Sequence, residues 1–162
     1  MEFSGTGLPA RVQTPSVPPW LVLVADDEPE VHQVTSLVLD DFKFDGRDLK
    51  LLSADSSERA YQLLKDNPDT AVLLLDVVME SEQAGLELVE RIRKQLGNSF
   101  VRIVLRTGQA GQAPEREVVA QYDINDYKEK TELTADKLTT TMYAALRAYR
   151  DLRVTESQGL GR

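Results

Sequence analysis

The sequence predicts an α/β fold in which a doubly wound, five-stranded parallel sheet carries helices on both faces. Short apolar runs alternate five times with segments of helical periodicity over the 162 residues, a length that fits one domain. Three of the runs are almost continuously apolar, as expected for parallel strands covered on both faces. Short antiparallel hairpins do not produce this pattern, because each helix is a crossover that returns the chain to a parallel neighbour.

The apolar runs mark the predicted strands. In chain order they lie at residues 20–24, 49–52, 71–75, 101–105 and 124–127, and the last is the weakest. Because ligands of doubly wound sheets bind beyond the carboxyl ends of the strands, the residues after each run are the candidate site residues.

The intervals between the runs carry helix signals. Pro29 stands where the first turn of a helix tolerates proline, and apolar residues follow it at helical spacing. Residues 55–58 have the pattern of a capping box for a second helix. A third helix closes at Gly97, Pro114 opens a short fourth helix, and a fifth runs from about Thr134.

The composition excludes several classes of function. With 27 acidic and 19 basic side chains the net charge is -8, which disfavours nucleic acid and anionic membranes as partners. The absence of cysteine excludes disulfides and zinc–thiolate sites. The longest apolar run is far short of a bilayer span, and the amino terminus lacks a signal-peptide pattern. We therefore expect a cytoplasmic protein.

Composition also suggests the domain boundaries. Glycine and proline are frequent over residues 1–18, which we interpret as a flexible leader. The folded domain is expected over residues 19–152. Residues 153–162 are interpreted as a tail or as the start of a linker to an output domain outside this chain.

Charged and hydroxyl side chains follow the predicted strands. Asp26 and Asp27 follow the first strand, Asp76 follows the third, Thr107 the fourth, and Lys128 and Lys130 come after the fifth. Close carboxylates repel one another unless a cation joins them, and Mg²⁺ suits an all-oxygen cluster. A carboxylate nucleophile, a metal, and hydroxyl and ammonium donors would together support phosphoryl transfer to an aspartate.

These residues, in this order, resemble the receiver domain of two-component response regulators over about residues 19–152. The resemblance implies a flavodoxin-like strand order of 2-1-3-4-5. It implies that Asp76 accepts the phosphoryl group as an aspartyl phosphate and that a sensor histidine kinase supplies it. The spacing of Tyr127 and Lys130 favours Lys130 over Lys128 as the family's lysine.

The resemblance also implies a role for each site residue. Asp27, Asp76 and the backbone carbonyl of Val78 would ligate Mg²⁺ directly, and Asp26 would act mainly through water. Thr107 and Lys130 would bind phosphate oxygens, and Thr107 and Tyr127 would form the conformational switch. The chain departs from the family at Thr131 and Glu80, where proline is common.

A narrower resemblance concerns the output. The stretches 106–109, 111–116 and 126–130 are similar to receivers that precede an HD-GYP domain, which hydrolyses cyclic di-GMP. No such output domain lies in this chain, whose single histidine, His32, is expected at a surface or boundary position without a role. The domain itself is expected to catalyse only its own phosphorylation and dephosphorylation.

Two other functions remain open at this point. The chain could be a binding module of the same fold that signals without phosphorylation. It could also be a hydrolase of the haloacid-dehalogenase type, although Val78 stands where that class needs a second aspartate. The last helix has a heptad-like apolar seam, and whether its distal turns, from about Tyr149, form a homodimer is also open.

Overall fold

The computed structural model describes residues 17–81, 83–108, 120–130 and 134–158. Residues 1–16 of the predicted leader and nearly all of the predicted fourth helix lie outside these ranges. In the described part of the chain, no helix combines the length and the apolar character needed to cross a bilayer.

The strands of the described ranges form one six-stranded sheet. They are β1 (Trp20–Ala25), β2 (Lys43–Phe44), β3 (Arg47–Ala54), β4 (Thr70–Asp76), β5 (Arg102–Thr107) and β6 (Asp126–Glu129). The order across the sheet is β2-β3-β1-β4-β5-β6. Apart from the two-residue strand β2, which is antiparallel to β3, neighbouring strands are parallel. The predicted fold class and the order implied by the resemblance are confirmed, with β2 as an addition.

Helices follow strands β1, β3, β4 and β6. They are α1 (Pro29–Val38), α2 (Ser57–Asp66), α3 (Ala84–Glu90), which continues into a π-helical turn at Arg91–Gln95, and α4 (Ala135–Ser157). The cap of α2 is Ser56, whose hydroxyl accepts a hydrogen bond from the Arg59 backbone, so the cap lies one residue later than the predicted box. Helix α4 begins after Thr134, as predicted, and its residues reach into the stretch predicted as tail.

Alternating side chains of the strands feed two hydrophobic cores, one on each face of the sheet. On β4, Leu73 and Leu75 face the core that includes α2 and α3, whereas Val72 and Leu74 face the core that includes α4. Every residue of β4 is buried. This burial on both faces explains why the strand is continuously apolar up to Asp76, where the sheet ends and polar chemistry begins.

Candidate functional site

Three carboxylates meet at the carboxyl edge of the sheet. Asp26 and Asp27 follow β1, Asp76 ends β4, and one carboxylate oxygen from each lies within 4.8 Å of the others. Asp26 is fully buried, Asp76 is 4% exposed and Asp27 is exposed. The predicted acidic cluster therefore exists as a spatial group that residues 49 positions apart in the chain build together, because β1 and β4 are neighbours in the sheet.

An ammonium group lies among these carboxylates. The Nζ atom of Lys130 is 3.0 Å from Asp26 Oδ2, 3.2 Å from Asp76 Oδ2 and 2.8 Å from Glu28 Oε1. Lys128, the other candidate lysine, instead pairs with Asp126 at 3.7 Å. The sequence had assigned no role to Glu28, although it follows the paired aspartates directly.

The charges of the pocket are only partly balanced. The pKa of Asp76 is raised to about 6, mainly by burial and also by the nearby charge of Asp26, while the charge and hydrogen bond of Lys130 act in the opposite direction. For Lys130, burial lowers the pKa, but its contacts with Glu28, Asp26 and Asp76 hold the pKa above its usual range. The lysine is thus firmly charged, while Asp76 is held in an environment that disfavours its ionised form.

Backbone hydrogen bonds orient the buried carboxylates. The Glu28 amide donates to Asp26 Oδ1 at 2.9 Å, and the Val78 amide donates to Asp76 Oδ1 at 3.2 Å. His32 Nε2 lies 2.7 Å from the Asp26 carbonyl oxygen, so this half-buried histidine braces the end of β1. Asp26 and Asp76 are therefore each oriented by a backbone amide two residues further along the chain.

The turn after Asp76 is packed closely against helix α3. The Gly85 amide donates to the Val77 carbonyl at 2.9 Å, and the Val77 amide donates to the Arg106 carbonyl at 3.0 Å. A Cβ atom at Gly85 would lie 2.5 Å from the Asp76 carbonyl oxygen and 2.7 Å from Val77 Cα. Only a residue without a side chain fits at this position.

The remaining predicted site residues lie at the same edge or on the neighbouring strand. Thr107 is fully buried at the end of β5, in register with Glu129 of β6. Tyr127 lies one strand further out, in register with Leu105, and packs half-buried against the core that includes α2 and α3. The structure brings Asp26, Asp27 and Asp76 together and places Lys130 against Asp26 and Asp76. The roles of these residues, and those of Thr107, Val78 and Tyr127, stay predictions.

Comparison with known proteins identifies the family. Residues 22–143 match the family described as the response regulator receiver domain. The chain belongs to this family. It is therefore a signalling domain.

Relatives of this receiver occur within larger signalling proteins. The chain is 52% identical over 161 residues to 3'3'-cGAMP-specific phosphodiesterase 2 of Vibrio cholerae serotype O1, an alignment that covers 99% of this chain and 31% of that protein. This receiver thus spans about a third of the length of the relative it matches.

Solved receiver structures share the fold at low sequence identity. The signal receiver domain of an HD domain-containing protein from Pseudomonas fluorescens Pf-5 superposes with a TM-score of 0.66 at 19% identity, covering 86% of this chain and 96% of that one. The amino-terminal domain of a response regulator/sensory box/GGDEF protein from Carboxydothermus hydrogenoformans also has a TM-score of 0.66, at 18% identity, covering 81% and 97%.

One charged residue of this receiver was missed by the sequence reasoning. Arg106 lies on β5 beside Asp76 and is only 4% exposed. Its Nη1 donates to Thr35 Oγ1 at 3.3 Å, while Nε and Nη2 are buried without a hydrogen-bond partner among the described residues. An arginine directly after an apolar run and directly before a threonine at the strand end is the signal that could have found it.

Proposed function

We propose that this receiver is a phosphorylation-controlled switch in which a histidine kinase transfers a phosphoryl group to Asp76. The observation that carries the proposal is the convergence of Asp26, Asp27 and Asp76 within 4.8 Å, with Lys130 Nζ 3.2 Å from Asp76. Such a pocket offers one nucleophile, a set of oxygen ligands for a cation, and an ammonium that can move to an incoming anion.

The donor set fits Mg²⁺. All three side-chain ligands are carboxylates, which hard divalent cations prefer, and their mutual repulsion is relieved by a cation. Asp27 and Asp76 would hold the ion with the backbone carbonyl of Val78, and Asp26 would act mainly through water. Bound Mg²⁺ would supply neutralisation of charge on the phosphoryl oxygens.

The chemical step forms an acyl phosphate. A carboxylate oxygen of Asp76 attacks the phosphorus of a phosphohistidine in its imidazolium form, the P–N bond breaks, and the histidine leaves as neutral imidazole. Before the step, Asp76 must be ionised, and the attraction of Lys130 favours that form. Afterwards Lys130 would pair with a phosphoryl oxygen, and Thr107 would donate its hydroxyl to another.

Signal output would follow from a shift between two conformations. Thr107 would move toward the phosphoryl group and Tyr127 would turn inward behind it. The surface that reports the change would be formed by the segment that follows β5, by β6 and by α4.

The output is proposed to be cyclic dinucleotide hydrolysis by a separate domain. The relative from Vibrio cholerae is named for hydrolysis of 3'3'-cGAMP, and this receiver matches 31% of its length. We propose a cytoplasmic protein in which the receiver controls a domain of the HD-GYP type. The genomic reading frame beyond Arg162 tests this: an unrelated domain or a stop codon there would contradict it.

Phosphoryl uptake tests the acceptor. Asp76→Asn should abolish labelling by acetyl phosphate with Mg²⁺, measured by intact-mass spectrometry as loss of the added phosphoryl mass. Asp55→Asn is the matched control, because Asp55 follows β3 at the same sheet edge but is not one of the three clustered acids. Labelling of the Asp76 variant, or loss of labelling in the Asp55 variant alone, would assign the acceptor elsewhere.

Beryllofluoride separates a phosphate-driven switch from a binding module of the same fold. With Mg²⁺ present, the amide resonances of Thr107 and Tyr127 should shift on addition of beryllofluoride, and the Asp76→Asn protein should show no such shifts. Unchanged spectra of the unmutated protein would favour the binding module.

A further inference from the structure

We infer that Arg106 is a built-in counter-cation of the acid pocket, a positioning residue that limits its Mg²⁺ affinity and favours an anion bound at Asp76. The inference rests on the proposed function, because it concerns the metal and phosphoryl site of Asp76. Arg106 lies outside the set of residues that the sequence pattern singled out for this site.

Strand register places Arg106 in one row with two of the acids. Val24 is in register with Leu74, and Asp76 is in register with Arg106. Because side chains alternate along a strand, Asp26, Asp76 and Arg106 project to the same side as Val24, Leu74 and Val104, which share one core. Arg106 is therefore on the strand next to that of Asp76 and two strands from that of Asp26, and adjacent strands are about 4.8 Å apart.

The guanidinium is poorly satisfied by local partners. Its only hydrogen bond within the described ranges is to Thr35 Oγ1 at 3.3 Å, and the atoms Nε and Nη2 are buried without one. A buried cation with unmet donors is costly unless nearby negative charge offsets the cost. The charges of Asp26 and Asp76 supply that offset, since both act to raise the pKa of Arg106 against the effect of burial.

Arg106 differs from Lys130 in how it acts on the pocket. The ammonium of Lys130 is 3.0 Å from Asp26 Oδ2 and 3.2 Å from Asp76 Oδ2, so an incoming metal ion competes with it for those oxygen atoms. The guanidinium forms no ion pair of that kind among the described residues and is bonded instead to Thr35, so a metal ion at the carboxylates does not compete with it for their oxygens. Its positive charge therefore repels any bound divalent cation and attracts any bound anion, in an environment of lowered dielectric.

Calorimetric titration with Mg²⁺ alone at pH 8 tests the first consequence. We expect Arg106→Met to bind Mg²⁺ about threefold to tenfold more tightly than the unmutated protein, because a fixed positive charge has been removed. Arg106→Lys, which keeps the charge, should stay within about twofold of the unmutated affinity. Arg102→Met is the matched control, since Arg102 is equally buried on the same strand but lies at its other end.

Beryllofluoride titration at saturating Mg²⁺ tests the second consequence. Arg106→Met should bind the anion several-fold more weakly, so that the metal and anion affinities move in opposite directions. A residue with only a structural role would weaken both or neither. Arg106→Gln, also neutral, provides the same comparison if the methionine variant does not fold, as judged by far-ultraviolet circular dichroism.

The outcomes distinguish this inference from the proposed function. If the unmutated protein takes up no Mg²⁺ at millimolar concentration, the proposed function fails. If the unmutated protein binds Mg²⁺ but the folded neutral variants bind it equally or more weakly, the assignment of Arg106 is wrong and the proposed function stands.

Discussion

The two ends of the sheet differ in how completely their polar and charged groups are paired. At the amino edge, the Arg47 guanidinium lies 3.6 Å from the ring centroid of Trp20, and that of Arg153 lies 4.5 Å from the ring centroid of Phe100. The Tyr149 hydroxyl donates to the Asp69 carbonyl at 3.2 Å. At the carboxyl edge, acids crowd one another around one lysine. Polar groups are hydrogen-bonded at the amino edge, whereas the charges are only partly balanced at the carboxyl edge, where we propose that the metal ion and the phosphoryl group bind.

A single strand shows the same contrast. Arg102, at the start of β5, donates to the carbonyls of Phe100 and Ser99 at 2.8 and 2.6 Å and pairs with Asp123 at 3.2 Å. The guanidinium of Arg106, at the end of the same strand, has a single hydrogen bond within the described ranges, of 3.3 Å to Thr35. Both are buried, so exposure does not explain the difference. At Arg106 the charges of Asp26 and Asp76 act to raise the pKa against the effect of burial, in place of the direct partners that Arg102 has.

The largest expected effect is at the turn below Asp76. Gly85→Ala places a Cβ atom 2.5 Å from the Asp76 carbonyl oxygen, so the turn or helix α3 must move. We expect the free energy of unfolding to fall by about 3 kcal/mol, measured by urea denaturation.

The control for that substitution is Gly108→Ala, where no atom of the described residues lies within 4 Å of the added Cβ. It should change the free energy of unfolding by less than about 0.5 kcal/mol. Equal losses at the two glycines would show that the close packing below Asp76 is not the cause.

The next effect has the opposite sign. Asp76→Asn should stabilise the metal-free protein by about 1–3 kcal/mol at pH 7, because it removes a carboxylate whose pKa is raised from 3.8 to about 6. Below about pH 4 the gain should vanish. Between about pH 4 and 6 the unmutated protein loses stability as pH rises, because its folded state binds the proton more tightly than its unfolded state, and above that range the gain is constant.

Thermal and urea unfolding of both proteins from pH 3.5 to 8 measures this profile. Asp55→Asn, at the same edge but outside the cluster, should show no such growth of the gain with pH. A destabilised Asp76→Asn protein at pH 7 would mean that the charges of the pocket are balanced without a metal ion. That result would contradict the proposed difference between the two edges of the sheet.

At the amino edge, removal of a polar group should destabilise. Tyr149→Phe deletes the hydroxyl that donates to the Asp69 carbonyl and accepts from Arg153 Nε, both at 3.2 Å. We expect a loss of about 1–2 kcal/mol in urea denaturation, since buried partners are left unpaired. Tyr143→Phe, at a ring that is 38% exposed, should be nearly neutral. Equal effects would remove the distinction between the edges.

The smallest expected effect concerns the cation over Trp20. Arg47→Ala should cost about 0.5–1 kcal/mol in urea denaturation, because the guanidinium 3.6 Å from the ring centroid is lost along with its bond to the Pro18 carbonyl. Lys50→Ala, at an exposed position of the same strand, should cost less. A larger loss at Lys50 would contradict the stabilising role given to this contact.

The parts of the site that were predictable are those encoded next to a strand. Asp26, Asp27 and Asp76 follow continuous apolar runs, and the rule that parallel strands end at one edge was enough to bring them together. The order of strands came instead from resemblance to a family. The observed cap of α2 lies one residue after the predicted position. Several neighbouring polar side chains can each accept the capping hydrogen bond, and the local sequence does not select one of them.

By itself the sequence determined the alternation of strands and helices, the acids at the strand ends and the absence of a strongly basic surface, because these depend on hydrophobic periodicity and residue type. The spacing to Tyr127 already favoured Lys130 over Lys128 as the family's lysine. Only the tertiary structure decided that Lys130 contacts Asp26 and Asp76, that Glu28 joins this contact, and that Arg106 lies buried beside Asp76. Those contacts join residues on different strands, and their geometry depends on register and side-chain direction, which local patterns do not encode.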